Sequence, residues 1–140
     1  MKVVPKVWGE ERWIVNGALY CGKQMLLRRG WRCSLHMHKV KDETFFVARG
    51  RILFEIEGPT GRIARKVLGP GAVQHVPPRT WHRFGGITAA EFFEFSTTHD
   101  DADSYRREDS GPVPRRRGPR PRRRAAARAR RALRSTRRGS

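Results

Sequence analysis

His36 and His38 stand two residues apart in the stretch GWRCSLHMHKVKDETFFVARG, which runs from Gly30 to Gly50; Glu43 follows within it and His82 lies further on. Side chains of a β-strand alternate between faces, so on a strand both imidazoles leave the same face. Ser34 to His38 contains no turn residue, which makes a strand the reasonable assignment. Lys39 to Asp42 reads as a short charged reversal. Glu43 then opens a second run, TFFVAR, expected to pair antiparallel with the first and to bring its carboxylate beside the histidines. Three imidazoles and one carboxylate suit a single zinc, iron, manganese, nickel or copper ion, and supply too few oxygens for a calcium cage. A closed structural zinc site more often uses cysteine. Four protein ligands on an ion that takes five or six partners leave room for a substrate.

The elements that must position these residues are short strands broken by glycine and proline. Lys2 to Trp8 is an expected edge strand, where Pro5 needs no ladder bond. Arg12–Val15 and Ala18–Leu27 follow, joined by the tight-hairpin signal Asn16-Gly17. Arg32–His38, Thr44–Arg49 and Arg51–Ile56 come next, then a Gly58-Pro59-Thr60-Gly61 turn into Arg62–Leu68. Gly69-Pro70-Gly71 precedes Ala72–Val76, and His82–Phe84 and Glu91–Ser96 flank Gly85-Gly86. No part of this region has a useful helical period. Many short strands at regular spacing predict an all-β sandwich or jelly-roll barrel.

Composition divides the chain of 140 residues in two. Of 31 basic residues, 13 are arginines between Arg115 and Ser140, a stretch without an acid, so the remainder carries 18 basic and 13 acidic residues and a charge near +5. The expected organisation is one domain over residues 1–110 and an Arg-rich disordered tail over 111–140. A body of about 110 residues buries roughly two-thirds of its unfolded surface, enough for a core. The tail has no apolar periodicity and repels itself; it is expected to be a dispensable extension or to make nonspecific, salt-sensitive contact with a polyanion. Cys21 and Cys33 are too few for a disulfide framework, which fits a reducing, cytoplasmic setting. Neither a signal peptide nor a membrane span is evident.

Gly30, His36, His38, Glu43 and Gly50 form the pattern G-x5-H-x-H-x4-E-x6-G, and Gly71, Pro77 and His82 form G-x5-P-x4-H. In order and spacing these resemble the two motifs of the cupin superfamily, with Arg79 where many members have glycine. The resemblance implies a single-domain cupin jelly-roll barrel with a divalent metal ion (manganese, zinc, iron or nickel) on His36, His38, Glu43 and His82. Lys6-Val7-Trp8-Gly9, Lys23, Ser34 to His38, His82-Arg83-Phe84, and Glu94 leading into Asp101 to Arg106 are further similar to cupin-type mannose-6-phosphate isomerases and small D-lyxose isomerase-like cupins. What that narrower resemblance implies is an aldose–ketose isomerase acting on a sugar or sugar phosphate.

Such an interconversion moves a proton between adjacent carbons through a metal-stabilised enediol and needs a base within reach. On the last long strand Phe92, Glu94 and Ser96 share a face. Glu94 is the candidate base, and Lys23 its electrostatic or proton-donating partner. Lys41, Arg32 and Arg83 permit a phosphate without requiring one. His75 and His99 fit no ligand spacing and read as ordinary polar residues, while Asp101, Asp103 and Arg106 are expected to fasten the end of the last strand. Leu35, Met37, Phe46 and Ala48 point away from the ligands, and a sheet apolar on both faces predicts a homodimer in which the N-terminal strand crosses to a partner. Two other functions fit the same ligands: a non-catalytic, sensory cupin that binds a carbohydrate or anion, and an iron dioxygenase.

Overall fold

The computed structural model describes residues 1–115. Its strands are β1 (Lys2–Lys6), β2 (Gly9–Asn16), β3 (Cys21–Leu27), β4 (Trp31–Arg32), β5 (Leu35–Met37), β6 (Glu43–Arg49) and β7 (Ile52–Glu57). There follow β8 (Ile63–Leu68), β9 (Val73–Val76), β10 (His82–Gly86), β11 (Ala90–Ser96), a 3-10 turn (Asp101–Asp103), β12 (Tyr105–Glu108) and β13 (Gly111–Pro112). One sheet has the order β1-β2-β3-β11-β6-β9; the other runs β12-β5-β10-β4-β13, with β7 joined to β10 and to β8. The pairings given are antiparallel.

Alternation along β6 and β11 helps build the interior. On β6 Glu43, Phe45 and Val47 point inward while Phe46 is exposed. Trp8, Met25, Leu27, Ile52, Phe54, Phe84 and Phe92 complete an apolar core between the sheets. Burying each such ring contributes on the order of 2–3 kcal/mol. Gly50 allows the reversal between β6 and β7. Its φ is +83°, and a β-carbon there would lie 2.2 Å from the Ala89 carbonyl oxygen. The first edge is as expected: among the described residues β1 pairs only with β2, and Pro5 lies within it opposite Glu10.

Several expectations are corrected. The two runs containing the histidines and Glu43 do not pair: β5 lies in one sheet and β6 in the other, and Lys39–Asp42 crosses between them. Glu43 therefore meets the histidines across the interior rather than along a ladder. The predicted strand Arg32–His38 is two strands, interrupted where the Cys33 amide donates to the Phe84 carbonyl. The Asn16-Gly17 hairpin is wider than a two-residue turn, because Gly17 N–H bonds the Tyr20 carbonyl and β3 starts only at Cys21. The ordered body also continues past residue 110: β13 pairs with β4, and Val113 N–H bonds the Gly30 carbonyl. From residue 116 the expected basic tail lies outside the described residues.

Candidate metal centre

β5 and β10 pair with His36 directly opposite His82, so the two imidazoles share the inner face. His38 follows at the end of β5, and one ring nitrogen of each of the three histidines lies within 4.8 Å of those of the other two. All three rings are fixed through Nδ1, which meets the carbonyl oxygen of Ser34 at 2.7 Å for His36, of Asp103 at 2.9 Å for His38 and of Thr80 at 2.9 Å for His82. A carbonyl only accepts, so Nδ1 carries the proton and Nε2 turns a lone pair to the cavity. Burial, reinforced by the neighbouring His82, holds His36 well below the ordinary histidine range and keeps it a neutral donor of electrons.

Glu43 faces this triad from the opposite sheet. Its Oε1 lies 3.4 Å from His38 Nε2, and its Oε2 3.0 Å from His82 Nε2. Burial disfavours its charge, and the Lys41 ammonium 2.9 Å from Oε1 favours the carboxylate form. His82 Nε2 and Glu43 Oε2 are buried without a hydrogen-bond partner despite their proximity. Two such buried lone pairs facing each other with no proton between them fit a cation, and the imidazole and carboxylate groups suit a divalent transition metal. The buried Phe54 ring lies nearly parallel to that of His82, with centroids 6.3 Å apart.

His36 and His38 open into a cavity of about 270 Å³ also lined by Glu43, Glu94, Lys23, Lys41 and His99, with His82 fully buried behind them. Glu94, Lys23 and Trp13 form one cross-strand row, Glu94 opposite Lys23 and Lys23 opposite Trp13. Glu94 Oε2 accepts from Lys41 Nζ at 3.1 Å and from the Ser96 hydroxyl at 3.1 Å, with Lys23 Nζ 3.7 Å away. Lys41 also reaches Glu43 Oε1 at 2.9 Å, so one ammonium bridges the proposed ligand and the proposed base. Burial opposes that charge, but Glu94 and Glu43 overcome it and raise Lys41 above the ordinary lysine range. Lys23 Nζ sits over the Trp13 ring at 4.4 Å and 3.7 Å from Glu11. Cys33 lines the cavity as an inert wall, since burial pushes its thiol up to about 12.

Two assignments change here. His99 is more than an ordinary polar residue: its Nδ1 lies 3.2 Å from Lys23 Nζ and 3.1 Å from Lys41 Nζ, while Nε2 donates to Asp101 at 2.8 Å. Burial and Lys23 lower its pKa. The signal available in the sequence was the His-x-Asp spacing of His99 and Asp101. Of the cations thought to suit a phosphate, only Lys41 lines the cavity; Arg83 is paired with Glu108 and Glu55 instead. His75 pairs with Asp42 at 2.7 Å on the exposed surface. Asp103 fastens the chain as expected, accepting from the backbone N–H groups of Lys39, Val40 and Lys41. Arg79 takes the left-handed conformation, φ +62°, at the position where many cupins have glycine, and its N–H bonds the His38 carbonyl at 2.6 Å.

The fold has many solved counterparts. Oxalate decarboxylase from Bacillus subtilis superposes with a TM-score of 0.68 at 19% identity over 75% of this chain, which spans only 29% of that one. KdgF from Halomonas sp. gives 0.59 at 18% identity over 66% of this chain and 81% of that one. Identities this low carry the fold alone. Among curated proteins no sequence is significantly similar. Among the described residues no helix is long and apolar enough to cross a membrane. With His36, His38 and His82 clustered on one sheet and Glu43 facing them from the other, residues 24–95 match the cupin domain family, and the chain belongs to the cupins.

Proposed function

We propose that this cupin is a metal-dependent aldose–ketose isomerase for a small sugar or sugar phosphate, with His36, His38, Glu43 and His82 as ligands. The observation that carries the reading is the shared cavity, in which the Glu94 carboxylate and the Lys41 ammonium stand 3.1 Å apart opposite the histidine cluster. A divalent ion held there supplies Lewis acidity to a carbonyl and its neighbouring hydroxyl. Manganese is the first candidate, since manganese(II) centres are described in the Bacillus subtilis oxalate decarboxylase; zinc, iron and nickel suit the same donors. Glu94 removes a proton from the carbon next to the carbonyl and returns it to the adjacent carbon, giving the enediol and then the ketose. Lys41 holds Glu94 in place and stabilises developing charge on the substrate oxygen, and Lys23 supports Glu94 from the other side. Walls of Trp8, Met25, Phe45 and Phe84 limit water around them.

One feature favours a second reading, carbohydrate binding without turnover. Glu94 Oε2 is already engaged by Lys41, Ser96 and Lys23, an arrangement that suits a fixed wall of a binding cavity as well as a proton carrier. The two are separated by assaying the manganese-loaded chain for ketose formation from free and phosphorylated aldoses, with Glu94→Gln beside it. Turnover lost in the variant supports the isomerase; sugar binding with no turnover in either protein supports the binder. Oxygen uptake with iron would instead favour a dioxygenase. Cys21 and Cys33 are free and buried, consistent with a cytoplasmic protein. The exposed Phe46, Val73 and Phe95 on the outer face of the six-stranded sheet support a homodimer.

A further inference from the structure

Resting on the reading that the histidine side of the cavity holds a metal ion, we propose that the cavity mouth is an oxyanion subsite built on Arg106 with Lys6. The substrate then carries a carboxylate or phosphoryl group that meets Arg106 at the mouth. Arg106 pairs with His36 across β12 and β5, and directly opposed residues of an antiparallel pair share a face. Its side chain therefore leaves on the side of the imidazole, and it lines the cavity. Among the described residues no carboxylate lies within 4.0 Å of Arg106. The deeper cations differ: Lys23 is matched by Glu11 and Glu94, and Lys41 by Glu43 and Glu94. Lys6 enters the same lining from β1, with Glu11 3.9 Å away. Ser104 and Ser110 lie alongside.

Charge balance points the same way. The buried wall presents two ammonium groups against the carboxylates of Glu11, Glu43 and Glu94. A divalent ion turns that single excess negative charge into a positive one, and Arg106 and Lys6 add to it at the mouth, opposed there by Asp101. A neutral ligand leaves this field uncompensated, whereas an anion whose oxygens meet the guanidinium fork removes it. Arg107, the next residue, is an internal contrast: it stacks over the Trp81 ring at 4.1 Å and is not part of the cavity wall.

The test is calorimetric titration of the manganese-loaded full-length chain with glucose, glucuronate and glucose 6-phosphate, which differ only at the carbon far from the carbonyl. Binding of at least one charged sugar roughly tenfold or more tighter than glucose is expected, with the preference lost in Arg106→Gln and kept in Arg107→Gln. The tighter of the two names the anion. Equal affinity for all three sugars, no binding of any, or an Arg106→Gln protein that keeps the preference would overturn the subsite; the last would place the anion on the metal or the basic tail. A charged sugar that binds in this Arg106-dependent way but is never converted would leave the subsite standing and remove the isomerase reading.

Discussion

Replacing Glu94 by glutamine keeps shape and removes one charge between two buried ammonium groups. At an effective dielectric of about 20, unit charges 3.1 Å and 3.7 Å apart attract by about 5 and about 4.5 kcal/mol. Most of this is offset by the cost of withdrawing the carboxylate from water. The lysines are not orphaned, because Lys41 keeps Glu43 at 2.9 Å and Lys23 keeps Glu11 at 3.7 Å. The net loss is therefore expected at about 2–3 kcal/mol, below the 3–5 kcal/mol of a fully broken buried pair. For a body of this size that is a fall in Tm of roughly 6–15 °C. If Glu94 is the base, turnover also falls by about 10²–10⁴, with metal content unchanged. Thermal and urea unfolding of the metal-free proteins measure the first quantity, and single-substrate kinetics with elemental analysis the second. A variant within about 0.5 kcal/mol of the parent would show that the ion pairs contribute little. Loss of metal in step with activity would show that Glu94 supports the site rather than acting in it.

Three further outcomes follow from the geometry. Gly50→Ala sets a β-carbon against the Ala89 carbonyl at a φ of +83°, and should cost at least about 2–3 kcal/mol in urea unfolding. Burial works against the charge of Asp103, but the backbone N–H groups of Lys41, Lys39 and Val40 hold its carboxyl below the ordinary range. Its stabilisation is thus complete above the unfolded aspartate value of about 3.9 and is lost as pH falls through the lower folded value. Asp103→Asn should speed amide exchange at Val40 and Lys41 near neutrality, with parent and variant converging only under acid conditions below the ordinary aspartate range. Phe95→Asp places a charge in the outer apolar face of the six-stranded sheet and should shift sedimentation from dimer to monomer; a parent already monomeric would refute the dimer.

How much of this was legible in the sequence depends on the distance over which each feature is specified. His36 and His38 share a face because of strand alternation, a local rule, and Glu94 lies inward beside Phe92 for the same reason. The partner of β6 was not legible. A charged reversal such as Lys39–Asp42 looks alike whether it closes a hairpin or crosses a barrel, and only the nonlocal pairing of β6 with β11 and β9 decides it. His99 escaped because it sits on a loop whose path is set by Asn16, which bonds both its amide and its carbonyl from 83 residues away. Arg106 reaches the cavity only because β12 returns to pair with β5.

Elemental analysis of the purified chain after manganese loading, beside His82→Ala and His99→Ala, tests the central claim most directly. One equivalent of metal in the parent and in His99→Ala, with the metal lost in His82→Ala, is the expected result. A parent that retains no metal, or a His82→Ala protein that binds it undiminished, would contradict the metal centre on which the proposed chemistry rests.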